Sequence, residues 1–541
     1  MTEKTMTHPK LVQAMRRPEF YPHRAEGVEF IQTHISYVFI VGDFVYKVKK
    51  PLDFGFLDFT SLEKRKYYCH EELRLNRRLA PHTYLDVVEI CEDAEGHVAL
   101  ETGIRVIEYA VKMKTLPKEK MLKELLSQGK ASPAVMDAIA RKLVDFHRRA
   151  ETGGNIDEAG SMETIKRNHD ENFTATKPFI NITIPEYQYA FIKSYIYNFM
   201  ERHEPLFQKR VAEHKIRDGH GDLHLDHICI IDESILTGNI NPDGIVVFDC
   251  IEFNERFRYD DVAAEVAFLA MDLDDNGYTD YSEAFVNAYI KHAEDTDIRL
   301  LLNFYKCYYA FFRGMVIGLK INDADIQEDE QKEAARTAAA YFDLAYTCAA
   351  RLEKPTLILM AGLMGTGKSV RAKRIASRLG ACVMQMDVLR KEILNIAPGE
   401  RRREPFGNGI YADDISKLTY EKALEAAVAL LKEGKSVIID GSYKKRAERI
   451  KASEIAKKMN ADFFIIECIC PEDIIKERLD SRMADEKEAS DGRWEIFQAQ
   501  KNTFDAITEI SDRSHVVIDA SETPEEGAQQ AIMAIRLAPS S

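Results

Sequence analysis

No run of about eighteen uncharged apolar residues occurs in this sequence, so no segment reads as a membrane-crossing helix. The nearest candidate, LLNFYKCYYAFFRGMVIGLK at 301–320, is interrupted by Lys306 and Arg313 and reads as a buried helix. The opening MTEKTMTHPKLVQAMRRPEF lacks the apolar core of a secretory signal, which points to the cytoplasm. Cysteine pairs of the CxxC type are missing too. The nine cysteines are scattered, with Cys468 and Cys470 on one face of an expected strand, and fit reduced, mostly buried thiols. There is no excess of basic residues: a net charge of −15 weighs against wholesale binding of a nucleic-acid backbone. Two local basic patches, ERRREPF (400–406) and YKKRAER (443–449), leave room for a phosphorylated substrate. No internal repeat and no low-complexity tract is present.

What is there fits a soluble chain of 541 residues, 45% of them apolar, which is too long for one ordinary core. The first quarter alternates in short strands. HISYVFIVGDFVYKVKK (34–50) holds two apolar runs joined at Gly42-Asp43, a hairpin signal. A charged helix is expected over 61–80, ended by Pro81, then strands over 84–91 and 104–114. The stretch 118–215 is mainly helical, a strand pair turning at NPDG (241–244) follows over 228–250, and helices run to about 352. At Lys354-Pro355 the pattern changes. TLILMAG, ACVMQMD, KSVIIDG, ADFFIIECIC and SHVVIDA are apolar strands separated by helical stretches, which indicates a parallel sheet covered on both faces. The expected organisation is an α+β domain over 1–350 and an α/β domain over 351–541.

In the second domain GLMGTGKS (362–369) matches G-x-x-x-x-G-K-[ST], with a strand before it and a helix after it. Such a loop turns backbone N–H groups, here those of Gly362, Gly365, Thr366 and Gly367, toward phosphate oxygens. Lys368 would reach the outer phosphates of ATP and Ser369 would hold Mg²⁺. MDVLR, with Asp387 past a strand end and Arg390 a helical turn on, resembles the D-x-x-R element of the polynucleotide kinase-like P-loop group. That resemblance implies that Asp387 accepts the acceptor hydroxyl's proton and Arg390 steadies a phosphate. It also implies a Mg²⁺-associated carboxylate at Asp440 and a phosphate-closing lid carrying Arg478 and Arg482.

In the first domain HGDLHLDHICI (220–230) packs His220, His224, His227, Asp222 and Asp226 together. A three-histidine metal cage would need a helical face, but Gly219 and Gly221 precede the motif and a β-rich run follows, so the segment reads as a loop feeding a strand. A metal site bridged by loop residues stays open as the alternative. HGDLH resembles the catalytic loop of aminoglycoside phosphotransferases and their protein-kinase-like relatives. The resemblance implies that Asp222 orients the acceptor hydroxyl, that Asp249 in GIVVFDCIEF carries Mg²⁺, and that Asp261 braces the catalytic loop. His220 and His224 then hold the loop. Position 227 is His where those proteins usually have Asn on a second Mg²⁺. The ATP lysine is Lys47 in FVYKVKK, with Lys49 as the alternative, and its helical partner is Glu72, with Glu71 as the alternative. YAVKM (109–113) leads into the adenine-binding hinge. No G-x-G-x-x-G loop precedes Lys47, so any phosphate cover is built differently.

As a whole the chain resembles bacterial two-domain proteins that fuse an aminoglycoside phosphotransferase-like domain to a P-loop ATP-binding domain. The implied activity is a tandem ATP-dependent phosphotransferase with two ATP–Mg²⁺ sites, each serving a hydroxyl acceptor. A small molecule is the leading acceptor and a nucleic-acid 5′-hydroxyl the alternative. Two further alternatives are an active P-loop kinase with a regulatory N-terminal half, and a P-loop half that serves as an ATP-hydrolysis switch.

Overall fold

The computed structural model describes residues 9–24, 26–238, 241–322, 327–397, 409–484 and 494–537. The chain divides into two compact units, residues 1–346 and 347–541. Among the described residues no helix is long and apolar enough to cross a membrane.

The N-terminal unit begins with six strands, β1 (Glu29–Gln32), β2 (Ser36–Val41), β3 (Phe44–Lys49), β4 (Tyr84–Glu92), β5 (Val98–Leu100) and β6 (Arg105–Lys114). They form one antiparallel sheet in the order β1-β2-β3-β6-β4-β5. β2 and β3 turn tightly at Gly42-Asp43, where Gly42 takes φ +58°, the left-handed region a glycine enters freely. Alternation then sorts β3 into two faces. Tyr46 and Val48 enter a cluster with Tyr37, Phe39, Val88 and Met15. Val45 packs on the other face against Cys69 and Leu73 of the helix Leu62–Asn76, and period two sends Lys47 and Lys49 to that same face. Strands β1 and β5 have no counterpart in the sequence reading, being four and three residues long.

The helix expected over 61–80 ends at Asn76, well before Pro81. Asn76 turns its amide back to Glu72 O and accepts Cys250 N–H, so its side chain is committed to the next layer. Four short strands follow. β7 (Ile216–Asp218) pairs with β10 (Tyr259–Asp261), and β8 (Ile228–Ile230) pairs with β9 (Ile245–Val247). Long helices surround them, including Ala134–Arg149, Val262–Asp275 and the buried Ile298–Gly318.

The second unit is the expected α/β arrangement. Strands β11 (Thr356–Ala361), β12 (Ala381–Gln385), β13 (Ser436–Asp440), β14 (Asp462–Ile469) and β15 (His515–Asp519) are all parallel, in the order β12-β13-β11-β14-β15. The central strand β11 is buried at every position, which accounts for its unbroken apolar run. The chain leaves β11 toward one side of the sheet and later returns to its other side at β14. The crevice at the carboxyl end of β11 is therefore the natural ligand position of such a sheet. Cys468 is buried within β14, whereas Cys470 lies past its end, so the two do not share a strand face. The basic stretch 400–406 lies outside the described residues.

Arg210 is a fully buried charge of the N-terminal unit. It makes two hydrogen bonds to Asp261 and two to Asp295, all at 2.6–2.8 Å. Removing one member of such a group leaves the others buried and unpaired, at a cost of about 3–5 kcal/mol. Arg210→Ala should lower the unfolding free energy by that amount in urea titrations. Arg299→Ala, which breaks an exposed pair with Glu283, should change it by less than about 1 kcal/mol.

Candidate functional site

Two sites emerge, one in each unit. In the first, Lys47 Nζ lies 2.6 Å from Asp249 Oδ1 and 2.9 Å from Glu72 Oε1. Lys49 Nζ lies 2.7 Å from Glu72 Oε2 and also pairs with Glu252. The two lysines therefore share Glu72, which is fully buried, while Glu71 pairs with Arg74 on the solvent side of the helix. Lys49 is wholly enclosed; Lys47 keeps 13% of its side chain exposed and faces the partly open Asp249. Asp249 adopts φ +62°, a left-handed conformation that aspartate tolerates better than most residues. Its N–H donates to Tyr84 Oη at 3.1 Å.

The histidine-rich loop stands across from this cluster. His227 Nδ1 donates to Asp222 O at 2.9 Å, and its Nε2 is 3.6 Å from Asp249 Oδ2. His224 Nε2 is 3.5 Å from Asp222 Oδ2. His220 is buried, with Nε2 on Phe248 O at 3.0 Å. Asp222, His224 and His227 each bring a donor atom within 4.8 Å of the others, a spacing at which loop residues could hold a metal ion, with no helical three-histidine face.

Burial would raise the Asp222 carboxyl, but the hydrogen bond from His224 and the neighbouring His227 outweigh it and bring it down to about 2. Burial likewise opposes ionisation of Asp249, yet Lys47 and His227 hold it well below the usual carboxylate range. His227 is lowered by burial and by His224, and His220 falls to about 4, mainly through burial. A carboxylate near 2 is a weak base in the ground state. Asp222 is thus a carboxylate that accepts hydrogen bonds and stays ionised at neutral pH.

Bracing of this loop falls to a residue the sequence reading missed. Glu265 Oε1 accepts the N–H groups of His220 and Gly221, and Oε2 lies 2.7 Å from His147 Nε2. His147 Nδ1 meets Tyr289 Oη at 2.6 Å. Asp261, expected in that role, instead caps the helix Val262–Asp275 and binds Arg210. The helical turn between 261 and 265 decides this, because of these two residues Glu265 faces the loop and Asp261 faces Arg210. Gly221 is obligatory there: at φ +82° an added Cβ would lie 2.5 Å from Phe257 O.

In the second unit Gly362, Gly365 and Gly367 take φ of +127°, +81° and +79°. A Cβ on Gly362 would lie 2.5 Å from Cys468 O, so the loop is pressed against β14 as only glycine allows. The loop runs into the helix Lys368–Leu379, whose N-terminal N–H groups and dipole favour an anion. Lys368 Nζ crosses the loop to Leu363 O at 2.7 Å, and Thr366 Oγ1 donates to the same carbonyl at 2.8 Å. Asp440, closing β13, is raised by burial, while the Ser369 hydroxyl and Lys368 lower it. This glycine cradle fits a triphosphate tail, and the paired hydroxyl and carboxylate are the hard oxygen donors that Mg²⁺ takes.

Asp387 sits in the first turn of the helix Met386–Ile393, largely exposed, and Arg390 Nη1 bonds its Oδ1 at 2.7 Å. The Arg390 guanidinium is buried and stacks 4.8 Å above the Tyr411 ring. Arg478 Nη2 donates to Ala520 O at 2.9 Å, so it faces the loop after β15. The side chain of Arg482 lies outside the described residues.

Residues 357–507 match a family model described as an AAA domain. The chain is 29% identical over 465 residues to uncharacterized proteins of Mycobacterium bovis and Mycobacterium tuberculosis, spanning 86% of this chain and 88% of theirs. Among solved structures, a sugar kinase from a Janibacter species is similar at 22% identity, covering 34% of this chain and 96% of that one, with a TM-score of 0.27. A gluconokinase from Sinorhizobium meliloti is similar at 21% identity, 34% and 94% coverage and a TM-score of 0.25. The APS kinase of Mycobacterium tuberculosis in complex with AMPPNP and APS is similar at 16% identity, 34% and 98% coverage and a TM-score of 0.26.

Glu265 gives the loop brace a pH signature. Burial opposes its charge, but the hydrogen bond from His147 and the charge of His147 outweigh that and hold it at about 2. A depressed carboxyl stabilises the fold fully above its unfolded value, and that stability is lost as the pH falls through the folded value. The contribution is on the order of 3 kcal/mol. Stability measured by denaturant between pH 5 and pH 2 should fall steeply in the native chain. In Glu265→Gln it should be lower at pH 6 and fall less over the same range.

Proposed function

We propose that the protein is a tandem ATP-dependent phosphotransferase of the cytoplasm, with a protein-kinase-like domain over residues 1–350 and a P-loop kinase domain over 351–541. The observation that carries this reading is the meeting of Lys47, Glu72, Asp249, His227 and Asp222 in one partly open cluster, drawn from β3, a helix and two loops. A buried structural ion pair does not need an open carboxylate, yet Asp249 keeps 41% of its side chain exposed and Asp222 34%.

In this reading Lys47, fixed by Glu72, holds the phosphates of ATP, and Asp249 with His227 would hold the divalent ion. Bound there, the ion neutralises charge on the transferring phosphate. Asp222 accepts a hydrogen bond from the acceptor hydroxyl through a carboxylate oxygen and takes its proton as the oxygen–phosphorus bond forms. The bond to the ADP leaving group breaks in the same transfer. Glu265 and the three imidazoles fix the loop, so that reorganisation is settled before the reaction.

In the second unit the loop 362–369 holds the phosphates through main-chain N–H groups and Lys368, while Ser369 and Asp440 would hold Mg²⁺. Asp387 accepts the acceptor's proton, with Arg390 aligned by its bond to Asp387, and Arg478 reaches the nucleotide from the lid helix. The acceptors are small molecules bearing a hydroxyl. The net charge of −15 disfavours a long nucleic acid.

The test is a panel of metabolites and a 5′-hydroxyl oligonucleotide incubated with labelled ATP. Asp222→Asn should lose one set of labelled products by roughly 10²–10⁴-fold, and Lys368→Ala a different set. If Asp222→Asn loses nothing while Lys368→Ala loses everything, the N-terminal unit is not a kinase and the regulatory reading replaces this one. Label on the oligonucleotide, lost in Asp387→Asn, would move the acceptor from small molecules to nucleic-acid ends.

A further inference from the structure

The hydrogen bonds of the loop histidines determine which ring nitrogen keeps a lone pair. His220 Nε2 faces Phe248 O, which can only accept, and its Nδ1 receives Asp222 N–H at 3.3 Å. Both of its nitrogens are used. His224 Nδ1 accepts Asp226 N–H at 3.4 Å, which places the proton on Nε2, directed at Asp222 Oδ2. His227 differs. Its Nδ1 lies against the carbonyl oxygen of Asp222 at 2.9 Å and must donate. In the neutral ring the lone pair is then on Nε2, and that atom faces Asp249 Oδ2 at 3.6 Å.

Two acceptors, one nitrogen and one oxygen, thus point at each other from separate segments with no proton between them. They are joined either by a proton that makes the ring an imidazolium or by a cation bound to both. The 3.6 Å separation is about 0.5 Å wider than that of adjacent donors in an octahedral shell, so a small side-chain rotation closes both atoms on one shared ion. The other oxygen, Asp249 Oδ1, is taken by Lys47, so Oδ2 is the one aimed outward at the imidazole.

We propose that His227 Nε2 and Asp249 Oδ2 form a mixed nitrogen–oxygen site that makes the N-terminal unit select Mn²⁺ over Mg²⁺. The inference rests on the kinase reading of that unit and specifies its metal. Mg²⁺ takes oxygen donors and sheds water reluctantly, so an imidazole is a poor ligand for it. Mn²⁺ stands at the start of the series of ions that gain from nitrogen ligands, while still accepting an oxygen-rich shell. Asp249, phosphate oxygens and water would supply that shell. A zinc site would instead call for four tetrahedral ligands, rich in nitrogen or sulfur. His224 is not a ligand in this arrangement, because its Nε2 proton is directed at Asp222.

The experiment uses the full chain carrying Lys368→Ala, which weakens the P-loop grip on nucleotide, loaded with Mn²⁺ and a non-hydrolysable ATP analogue. Pulsed electron paramagnetic resonance reads coupling between the bound ion and nitrogen, and ¹⁵N-histidine labelling separates imidazole from adenine. Ser369 and Asp440 offer only oxygen, so an imidazole signal reports the N-terminal unit. Histidine coupling should be present and should vanish in Lys368→Ala/His227→Asn, which keeps an amide donor for Asp222 O. In that pair of proteins the ratio of Mn²⁺ to Mg²⁺ affinity should fall by roughly 10–100-fold. Bound Mn²⁺ and nucleotide without histidine coupling would overturn the metal preference and leave the kinase reading standing. Failure of the Lys368→Ala chain to bind Mn²⁺ and nucleotide at all would overturn both.

Discussion

Two lysines on alternate positions of one strand point to the same side, and on β3 that side is the interior. An ammonium group taken out of water costs several kcal/mol unless a carboxylate meets it at close range. Lys47 and Lys49 therefore require Glu72, Asp249 and Glu252 to arrive together, from a helix 23 residues away for Lys49 and from a segment about 200 residues away. Sheet, helix and loop reach correct register only when all five charges meet. The rest of the N-terminal site follows in sequence. Asp249 is turned by its left-handed backbone toward His227, and His227 is tied to the backbone of Asp222.

The C-terminal unit is built by another route. Its donors are main-chain N–H groups, which carry no ionisation cost and are aimed by backbone shape alone. Shape is then the constraint, and Gly362 bears it, since no side chain fits between the loop and β14. Lys368 reaches across its own loop to Leu363 O, and that carbonyl is a modest partner compared with a phosphate. Lys47, by contrast, sits between two carboxylates.

Legibility in the sequence followed the range of the forces involved. The parallel sheet was readable because each strand is a contiguous apolar run and the glycine loop occupies its place between strand and helix. The β2–β3 turn was readable for the same local reason. Choices between adjacent residues were not. Glu71 and Glu72 are neighbours, and only the rotation of the helix against β6 sends Glu72 inward and leaves Glu71 to Arg74. Lys47 and Lys49 have the same strand face, and the sequence offers nothing to show that they share one carboxylate. The loop brace was expected at Asp261 from the family resemblance, but an N-cap side chain is spent on its own helix terminus. Glu265, one turn on, was unmarked: a buried glutamate inside an apolar helix reads as an exception until its two N–H partners and His147 are seen. β1 and β5 were missed because short edge strands carry too little pattern to register.

In the proposed N-terminal site, His227 in place of asparagine need not cost the function. Asparagine there would offer an amide donor and a carbonyl oxygen, and the imidazole keeps both capacities in altered form. Its Nδ1–H still serves the backbone of Asp222, so the loop conformation is retained. What changes is the atom presented to Asp249, from a hard oxygen to a softer nitrogen. The loop is also denser in rings: His224 and His227 lie 4.0 Å apart between centroids, and Phe248 and Phe268 close the group. Such packing excludes water from one side of Asp222 and leaves its carboxylate to be stabilised by imidazole N–H groups. In the proposed function a hydroxyl approaching from the open side would meet an acceptor that is already oriented. That is the condition under which a weak base still directs a nucleophile.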